Sequence, residues 1–182
     1  MGRARAHAEH LIDAPPAAVY AVLADYTTHH PRIMPAPPFS DLQVEEGGAG
    51  AGTVFHITVR MMGRQQRMHM RVAEPEPGHV LTETNLDTGV VTVFSVEEGE
   101  GGSRTLARMT SDWETDGGLR GLVDRLLTPP LMGRVFAKQL RQLGRYMRSG
   151  VAPGVSEVSD ERNHPGGRRD APRQRRRPRA AP

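Results

Sequence analysis

The chain has 182 residues and a mass of 20.0 kDa, which suits one domain with a tail and is too short for two ordinary domains. Its formal net charge is +3 at pH 7, from 24 lysine and arginine residues against 21 acidic ones. Residues 150–182 hold eight of the basic and four of the acidic residues, a net charge of +4, so residues 1–149 are nearly neutral at −1. Any attraction to nucleic acid therefore belongs to the C-terminal segment.

Composition excludes several kinds of site. The chain contains no cysteine, which excludes disulfides, thiolate nucleophiles and cysteine-ligated metal centres. No apolar run approaches the roughly 18–20 residues that a membrane span requires. No apolar stretch follows the basic residues near the start, so no secretory signal is predicted. We therefore expect a cytoplasmic protein.

The first elements in chain order are a strand and two helices. Residues 3–12 alternate small alanines with charged residues, which predicts a half-buried strand. Asp13 and the prolines after it favour a helix start, with Asp13 as the N-cap. The apolar spacing then predicts a helix over residues 17–26, and a short helical turn fits residues 29–33 among four prolines.

Residues 39–114 have the pattern of an antiparallel meander of five or six strands, separated by glycine-rich or Pro-Gly turns. The segments are FSDLQVEE, TVFHITVRMM, QQRMHMRVAEPEPG, HVLTETNLDTG, VVTVFSVEEGEGG and SRTLARMTSDWE. The GGAGAG segment at 47–52 is not followed by a predicted helix, so it matches neither a phosphate-binding loop nor a dinucleotide fingerprint. We expect it to be a flexible turn at one end of the sheet, or the edge of a lid.

The apolar period returns to 3.6 residues after Gly118 and continues to Met147, which predicts one long amphipathic helix ending near Gly150. Pro129 and Pro130 lack amide hydrogens and should kink or interrupt it. Residues 150–182 show no apolar periodicity and are rich in Gly, Pro and Arg, so we expect them to be disordered.

The order of these elements, with the opening IDAPPAAVYAVLADY, the VAEPEPG turn, the VVTVFSVEEGEGGSRT hairpin and the closing helix, resembles the START-like SRPBCC superfamily over roughly residues 4–148. The likeness is greatest to its polyketide cyclase/dehydrase branch. The resemblance implies an α+β helix-grip fold, in which a curved antiparallel sheet wraps around the C-terminal helix and encloses a hydrophobic cavity. We expect this domain to span residues 1–149, with a tail over 150–182.

Strand alternation within such a fold assigns one face of the sheet to the cavity or to a packed core. Methionine is common on this face, and it is the flexible filler of adaptable apolar surfaces. The predicted ligand-binding residues are Phe55, Ile57, Val59, Met61, Gln66, Met68, Met70, Leu81, Asn85, Thr92, Phe94, Thr105, Ala107, Met109, Trp113, Leu122, Leu126 and Phe136.

Three polar residues are candidate catalytic groups. The strand HVLTETN has an ambiguous parity: if Leu81 faces inward, Glu83 does too, and a desolvated carboxylate can act as a general acid or base. If Val80 faces inward, Glu83 is an ordinary surface charge. Ser111 and Tyr26 are the other proton-handling candidates.

Metal and cofactor sites are not predicted. His29 and His30 are adjacent, and no Asp or Glu completes a recognisable ligand pattern between them and His56 or His69. No GxSxG nucleophile motif is present.

The favoured function is the binding of a hydrophobic small molecule such as a lipid, isoprenoid or polyketide. The alternative is a polyketide cyclase or aromatase that uses the same cavity. The arginine-rich tail is either a solvated extension or a weak, sequence-independent anion binder; it lacks aromatic residues to stack on bases, so specific nucleic-acid binding is not expected.

Overall fold

The computed structural model describes residues 2–61, 63–99, 101–115 and 118–150, with the backbone only for 119–124. Within these residues the chain forms seven strands and three helices. The strands are β1 Gly2–Ile12, β2 Phe39–Glu46, β3 Val54–Met61, β4 Arg64–Glu76, β5 Val80–Asn85, β6 Val91–Glu98 and β7 Thr105–Thr115. The helices are α1 Pro16–Ala24, α2 His30–Ile33 and α3 Gly118–Arg148. The predicted tail lies outside the described residues.

All seven strands form one antiparallel sheet in the order β1-β7-β6-β5-β4-β3-β2. Strands β2 to β7 are joined in sequence as a meander, as the alternating pattern predicts. Strand β1 pairs along its whole length with β7, from Gly2 opposite Thr115 to Ile12 opposite Thr105. The sheet is curved and not closed, so β1 and β2 are its two edges. With α3 against it, this is the expected α+β helix-grip fold.

Helix α3 packs mainly against β1, and to a lesser extent against β7. The inward side chains of β1 are the small, buried Ala4, Ala6 and Ala8. They let the helix approach so closely that a Cβ atom at Gly133 would lie 3.3 Å from the carbonyl oxygen of His7. The small residues of β1 thus fix the position of the helix on one side of the sheet.

The expected interruption of α3 at its two prolines is not observed, because the helix continues through Pro129 and Pro130. A proline in a helix loses the bond from its own nitrogen to the carbonyl four residues earlier. Those carbonyls belong to Arg125 and Leu126, whose side chains are exposed. Water can therefore satisfy the two freed carbonyl groups on this side of the helix.

The core lies between the inner face of the sheet and the helices. Helix α1 is apolar on most sides, which accounts for the burial of five of its nine residues. The largest fully buried side chains are Tyr26, Phe55, Phe94, Ile12, Leu23, Ile33, Leu81, Met109, Leu140, Leu143, His30 and Val19.

The expected N-cap at Asp13 is not formed. Pro15 occupies the N-cap position of α1 without a side-chain hydrogen bond. The Asp13 carboxylate instead accepts a 2.9 Å hydrogen bond from Arg104 Nε on the β6–β7 connection. The sheet brings Arg104 close to Asp13, so the Asp13 carboxylate forms an ion pair and does not cap α1.

The glycine-rich segment 47–52 forms the expected turn between β2 and β3, and hydrogen bonds hold it to other elements. Gly50 N donates to Ala24 O at 2.8 Å, and Tyr26 N donates to Gly48 O at 2.9 Å. The Glu74 carboxylate accepts from Ala51 N at 2.7 Å and from the Tyr20 hydroxyl at 2.5 Å. These bonds fasten the segment to the end of α1 and to β4.

Gly50→Ala should destabilise the protein more than Gly52→Ala. Both glycines have positive φ, +59° and +86°, where an alanine costs about 1–2 kcal/mol. A Cβ at Gly50 also overlaps the Glu74 carboxylate, whereas nothing lies within 4 Å at Gly52. Moving Glu74 breaks its bonds to Tyr20 and Ala51, which adds roughly 1–3 kcal/mol.

Urea denaturation of both variants measures this difference in the free energy of unfolding. Equal losses in the two variants would show that Glu74 does not hold the segment.

Candidate functional site

A cavity of about 360 Å³ lies between the inner face of the sheet, helix α3 and the segment around α2. Its wall is mainly apolar and includes six of the chain's nine methionines. The lining residues are Met34, Phe39, Phe55, Ile57, Val59, Met61, Arg64, Gln66, Met68, Met70, Glu83, Thr92, Phe94, Met109, Met132, Phe136 and Gln139.

Burial along two neighbouring strands shows where the cavity opens. On β3, Phe55 and Ile57 are buried whereas Val59 and Met61 are half-buried. On β4, side chains pass from buried at Met70 to exposed at Gln66 and Arg64. Both gradients run toward the hairpin that joins β3 to β4, so the mouth lies there, with Arg64 beside it.

Glu83 lies at the opposite, buried end. Strand β5 alternates with Leu81, Glu83 and Asn85 buried at 0, 7 and 1% exposure, which resolves the ambiguous parity in favour of an inward Glu83. Among the described residues that line the cavity it is the only acid. Its carboxylate therefore gives an apolar chamber one acceptor that a ligand can reach.

The Glu83 carboxylate is held by the Tyr26 hydroxyl, and the His30 ring packs against Tyr26. The Tyr26 hydroxyl donates to Glu83 Oε1 at 2.6 Å, and Tyr26 is fully buried. The His30 ring stacks on Tyr26 with centroids 4.4 Å apart, and its Nδ1 donates to the Leu23 carbonyl at 2.7 Å.

His30 Nε2 lies 3.4 Å from Glu83 Oε1 but is not aligned for a hydrogen bond and has no other partner within the described structure. Oε1 is thus engaged by Tyr26 and approached by His30. Within the described residues, no hydrogen bond reaches Glu83 Oε2. This leaves Oε2 as the atom available to the cavity.

Burial raises the pKa of Tyr26 well above its usual value near 10, and the charge and hydrogen bond of Glu83 raise it further. Burial and the hydrogen bond to Glu74 likewise raise the pKa of Tyr20. Both phenols therefore remain protonated donors to their carboxylates at ordinary pH.

The structure places most of the predicted site residues on the cavity wall. These are Phe55, Ile57, Val59, Met61, Gln66, Met68, Met70, Thr92, Phe94, Met109 and Phe136, together with the catalytic candidate Glu83. Their binding or catalytic roles remain predictions.

Several other predicted residues lie off the wall because their side chains serve the fold. Thr105 Oγ1 donates to Ala14 O at 2.6 Å. Asn85 Oδ1 accepts from the backbone of Asp87 and Thr88, which builds the β5–β6 turn. Leu81 and Ala107 are buried in the hydrophobic core, away from the wall.

The remaining three ligand-binding candidates are Trp113, Leu126 and Leu122. Trp113 lines a separate surface pocket beside Arg3 and Arg5, near the end of β7. Leu126 is 62% exposed and does not line the cavity. The side chain of Leu122 lies outside the described residues.

The two other catalytic candidates do not line the cavity. Ser111 Oγ donates to the Val91 carbonyl at 2.9 Å, in the β6–β7 ladder. Tyr26 stands behind Glu83, so it contacts the carboxylate and not the chamber. Of the three candidates, Glu83 alone is in a position to touch a ligand.

Sequence reasoning missed five lining residues. Met34, Phe39 and Arg64 belong to turns and strand ends, where alternation gives no signal. Met132 and Gln139 come from α3. Gln139 had a detectable signal: it is a polar residue within the apolar stripe of the helix, and it is 3% exposed.

The four histidines considered in the sequence lie in two separate places. His29 Nδ1 contacts the Tyr146 hydroxyl at 2.7 Å, and His30 is buried beside Glu83. His56 and His69 lie together on the outer face of the sheet, and Glu45 joins them. His29 and His30 therefore do not share a site with His56 and His69.

The fold and the enclosed chamber define a START-like helix-grip protein. Residues 3–148 match the family model described as polyketide cyclase / dehydrase and lipid transport. The chain belongs to that family. None of the curated proteins matches it.

Solved structures share this fold. The solution structure of the KanY protein is 29% identical with a TM-score of 0.70, covering 81% of this chain and 99% of that one. The Zhui aromatase/cyclase from Streptomyces sp. R1128 is 20% identical with a TM-score of 0.65, covering 81% and 95%. A protein from Thermus thermophilus is 21% identical with a TM-score of 0.63, covering 81% and 99%.

In the part of the chain that the structure describes, no helix combines the length and the apolar character that crossing a membrane would take.

The stability of the protein should fall steeply above pH about 10, and less steeply in Tyr26→Phe. The folded state holds the Tyr26 proton more tightly than the unfolded chain, because the folded pKa is raised. That stability is fully present below the unfolded value near 10 and is lost as pH rises through the folded value. At neutral pH, Tyr26→Phe should lose about 1–3 kcal/mol, since Glu83 loses its donor.

Urea unfolding at a series of alkaline pH values measures the slope. Tyr146→Phe is the control, because its hydroxyl contacts His29 and not a carboxylate. An identical alkaline slope in wild type and Tyr26→Phe would contradict the assignment.

Proposed function

We propose that this protein binds a hydrophobic small molecule of the lipid, isoprenoid or polyketide class in the cavity beneath α3. The observation that carries the proposal is the chamber itself, which has an apolar wall with a few polar groups. Its volume of about 360 Å³ falls within the roughly 300–1,000 Å³ usual for small-molecule sites. The family description, polyketide cyclase / dehydrase and lipid transport, supports the same class of ligand.

The wall chemistry favours a flexible or variable ligand. Methionine side chains have three rotatable bonds and a polarisable sulfur, so they adapt to irregular apolar shapes. Met68, Met70 and Met109 come from the sheet, and Met132 faces them from α3. Opposed methionines can close around chains or rings of different width without a change in the backbone.

The polar groups define an orientation for the ligand. Glu83 Oε2 at the buried end accepts a hydrogen bond from a hydroxyl or an enol. Arg64 at the mouth suits a carbonyl, carboxylate or phosphate group. Gln66, Thr92 and Gln139 add hydrogen-bonding groups along the wall. The best ligand is thus a mainly apolar molecule with a donor at its inner end and an acceptor or anion at its outer end.

Val59→Trp should weaken ligand binding by at least about tenfold, because an indole at a half-buried wall position fills the chamber. Thr58→Trp is the matched control: it is the adjacent residue on β3 and faces away from the cavity. Native mass spectrometry for a co-purifying apolar ligand, followed by titration of the stripped protein with a fluorescent fatty acid, measures the effect. Equal affinities in the two variants, or no binding by wild type, would overturn the proposal.

A second candidate function is polyketide cyclisation, favoured by the position of Glu83. Its carboxylate can accept a proton from a carbon between two carbonyl groups. The resulting carbanion can attack another carbonyl further along the chain and close a ring. The protonated Glu83 then returns the proton to the new alkoxide oxygen. In this reaction Tyr26 is a positioning residue that orients the carboxylate.

Glu83→Gln should lower turnover of a poly-β-keto substrate by about 10²–10⁴-fold while ligand affinity is retained, because the amide keeps the shape and loses the base. Glu74→Gln is the control, since Glu74 is a carboxylate that accepts from a tyrosine outside the cavity. Unchanged turnover in Glu83→Gln removes Glu83 from the chemistry. Binding without turnover in wild type leaves the carrier function and rejects the enzyme.

The cytoplasmic location, the absence of a specific nucleic-acid partner and the role of the arginine-rich tail stay predictions from the sequence.

A further inference from the structure

The described residues contain one group of three side chains whose arrangement suits a metal ion, and it lies away from the cavity. Its members are Glu45 on β2, His56 on β3 and His69 on β4. Glu45 Oε2 lies 3.3 Å from His56 Nε2 and 3.0 Å from His69 Nε2. The two imidazole rings stack with centroids 4.3 Å apart and an angle of 17°. Both rings therefore direct the same nitrogen toward one carboxylate oxygen.

The sheet places these residues together on its outer face. His56 and His69 are direct partners in the β3–β4 ladder, and both alternate with residues that line the cavity. Glu45 is the extra residue of a bulge in β2. Val44 pairs with Phe55 and Glu46 pairs with the adjacent Val54, so Glu45 has no partner of its own in the β2–β3 ladder. A bulge re-aims the side chain of its extra residue. Here it brings the carboxylate across β3 to reach a histidine two strands away.

The separations are close to those of ligands that share one small cation. A zinc ion about 2.0–2.2 Å from nitrogen and carboxylate ligands would hold tetrahedral neighbours roughly 3.3–3.6 Å apart. The 3.3 Å between Glu45 and His56 falls in this range, and the 3.0 Å between Glu45 and His69, which is a hydrogen bond without the ion, would lengthen slightly. We propose that Glu45, His56 and His69 bind a divalent transition-metal ion of the Zn²⁺ type on the outer face of the sheet. Two imidazoles and one carboxylate form a known zinc donor set, with the fourth position left to water.

The surroundings permit a cation despite the arginines nearby. Arg67 and Arg71 flank His69 on the same face of β4, and both are exposed, so their charged groups can move into solvent. The Arg67 guanidinium donates to Gln43 Oε1 at 3.2 Å and, within the described structure, forms no hydrogen bond or ion pair with the three candidate ligands. All three ligands are at least partly exposed, which gives the ion a direct path from solvent.

An ion at this position would join three consecutive strands, including the edge strand β2. Strand β2 has a strand neighbour on one side only and contains two register shifts. The same strands β3 and β4 form the wall of the cavity on their other face. Metal binding should therefore stabilise the edge of the sheet and stiffen that wall.

Isothermal titration of the tag-free, EDTA-treated full chain with Zn²⁺ tests the proposal. We expect one ion per chain in wild type and at least about tenfold weaker binding in His56→Ala, His69→Ala and Glu45→Gln. His79→Ala is the control, because it removes an exposed histidine from the β4–β5 turn and leaves the three ligands intact. Zn²⁺ should also raise the Tm of wild type and of His79→Ala, but not of the three ligand variants.

Circular dichroism checks that each variant is folded before titration. Failure of wild type to bind Zn²⁺ would overturn the proposal. So would wild-type affinity in the three ligand variants, or a loss of binding in His79→Ala alone, because the ion would then be held elsewhere.

Discussion

The close packing of helix α3 against strand β1 is the constraint on which the site depends. Ala4, Ala6 and Ala8 leave room for the helix backbone, and Gly133 brings it to the carbonyl of His7. A helix held at that edge cannot fill the concave face of β3 to β6 with its own side chains. The uncovered part of the face becomes the cavity. Met132, Phe136 and Gln139 form the helix side of its wall.

The chamber is apolar, yet it retains a carboxylate at its most buried end. An unpaired charge there would be costly, and the Tyr26 hydroxyl offsets part of that cost by donating to one oxygen of Glu83. The other oxygen remains for a ligand. Binding and catalysis would use this same geometry, and they differ only in whether the ligand offers Glu83 a hydrogen bond or a removable proton.

The two faces of strands β3 and β4 have different chemistry because side chains alternate along a strand. Phe55 and Ile57 face the cavity, whereas His56 lies between them on the outer face. The proposed metal site and the cavity wall therefore share the backbone of β3 and β4.

Much of the sheet and its wall could be predicted from the sequence. Regular alternation on β3 and β4 predicts the inward set from Phe55 to Met70, and the structure places those residues at the cavity. Strand β5 is short and its alternation has two solutions, so the direction of Glu83 could not be predicted. Helical periodicity predicts an inward Leu126, but it gives only the apolar stripe of α3 and not the element that the stripe packs against.

By itself the sequence determined the local structure: the strands, the three helices, the neutral body and the charged tail, because periodicity and turn residues act over a few positions. The tertiary structure decided which distant residues meet. Tyr26, His30 and Glu83 converge only when α1, α2 and β5 are assembled, and Glu45 reaches His69 only across a bulge in the edge strand. Such contacts depend on register and packing between elements, and no local pattern in the chain encodes them.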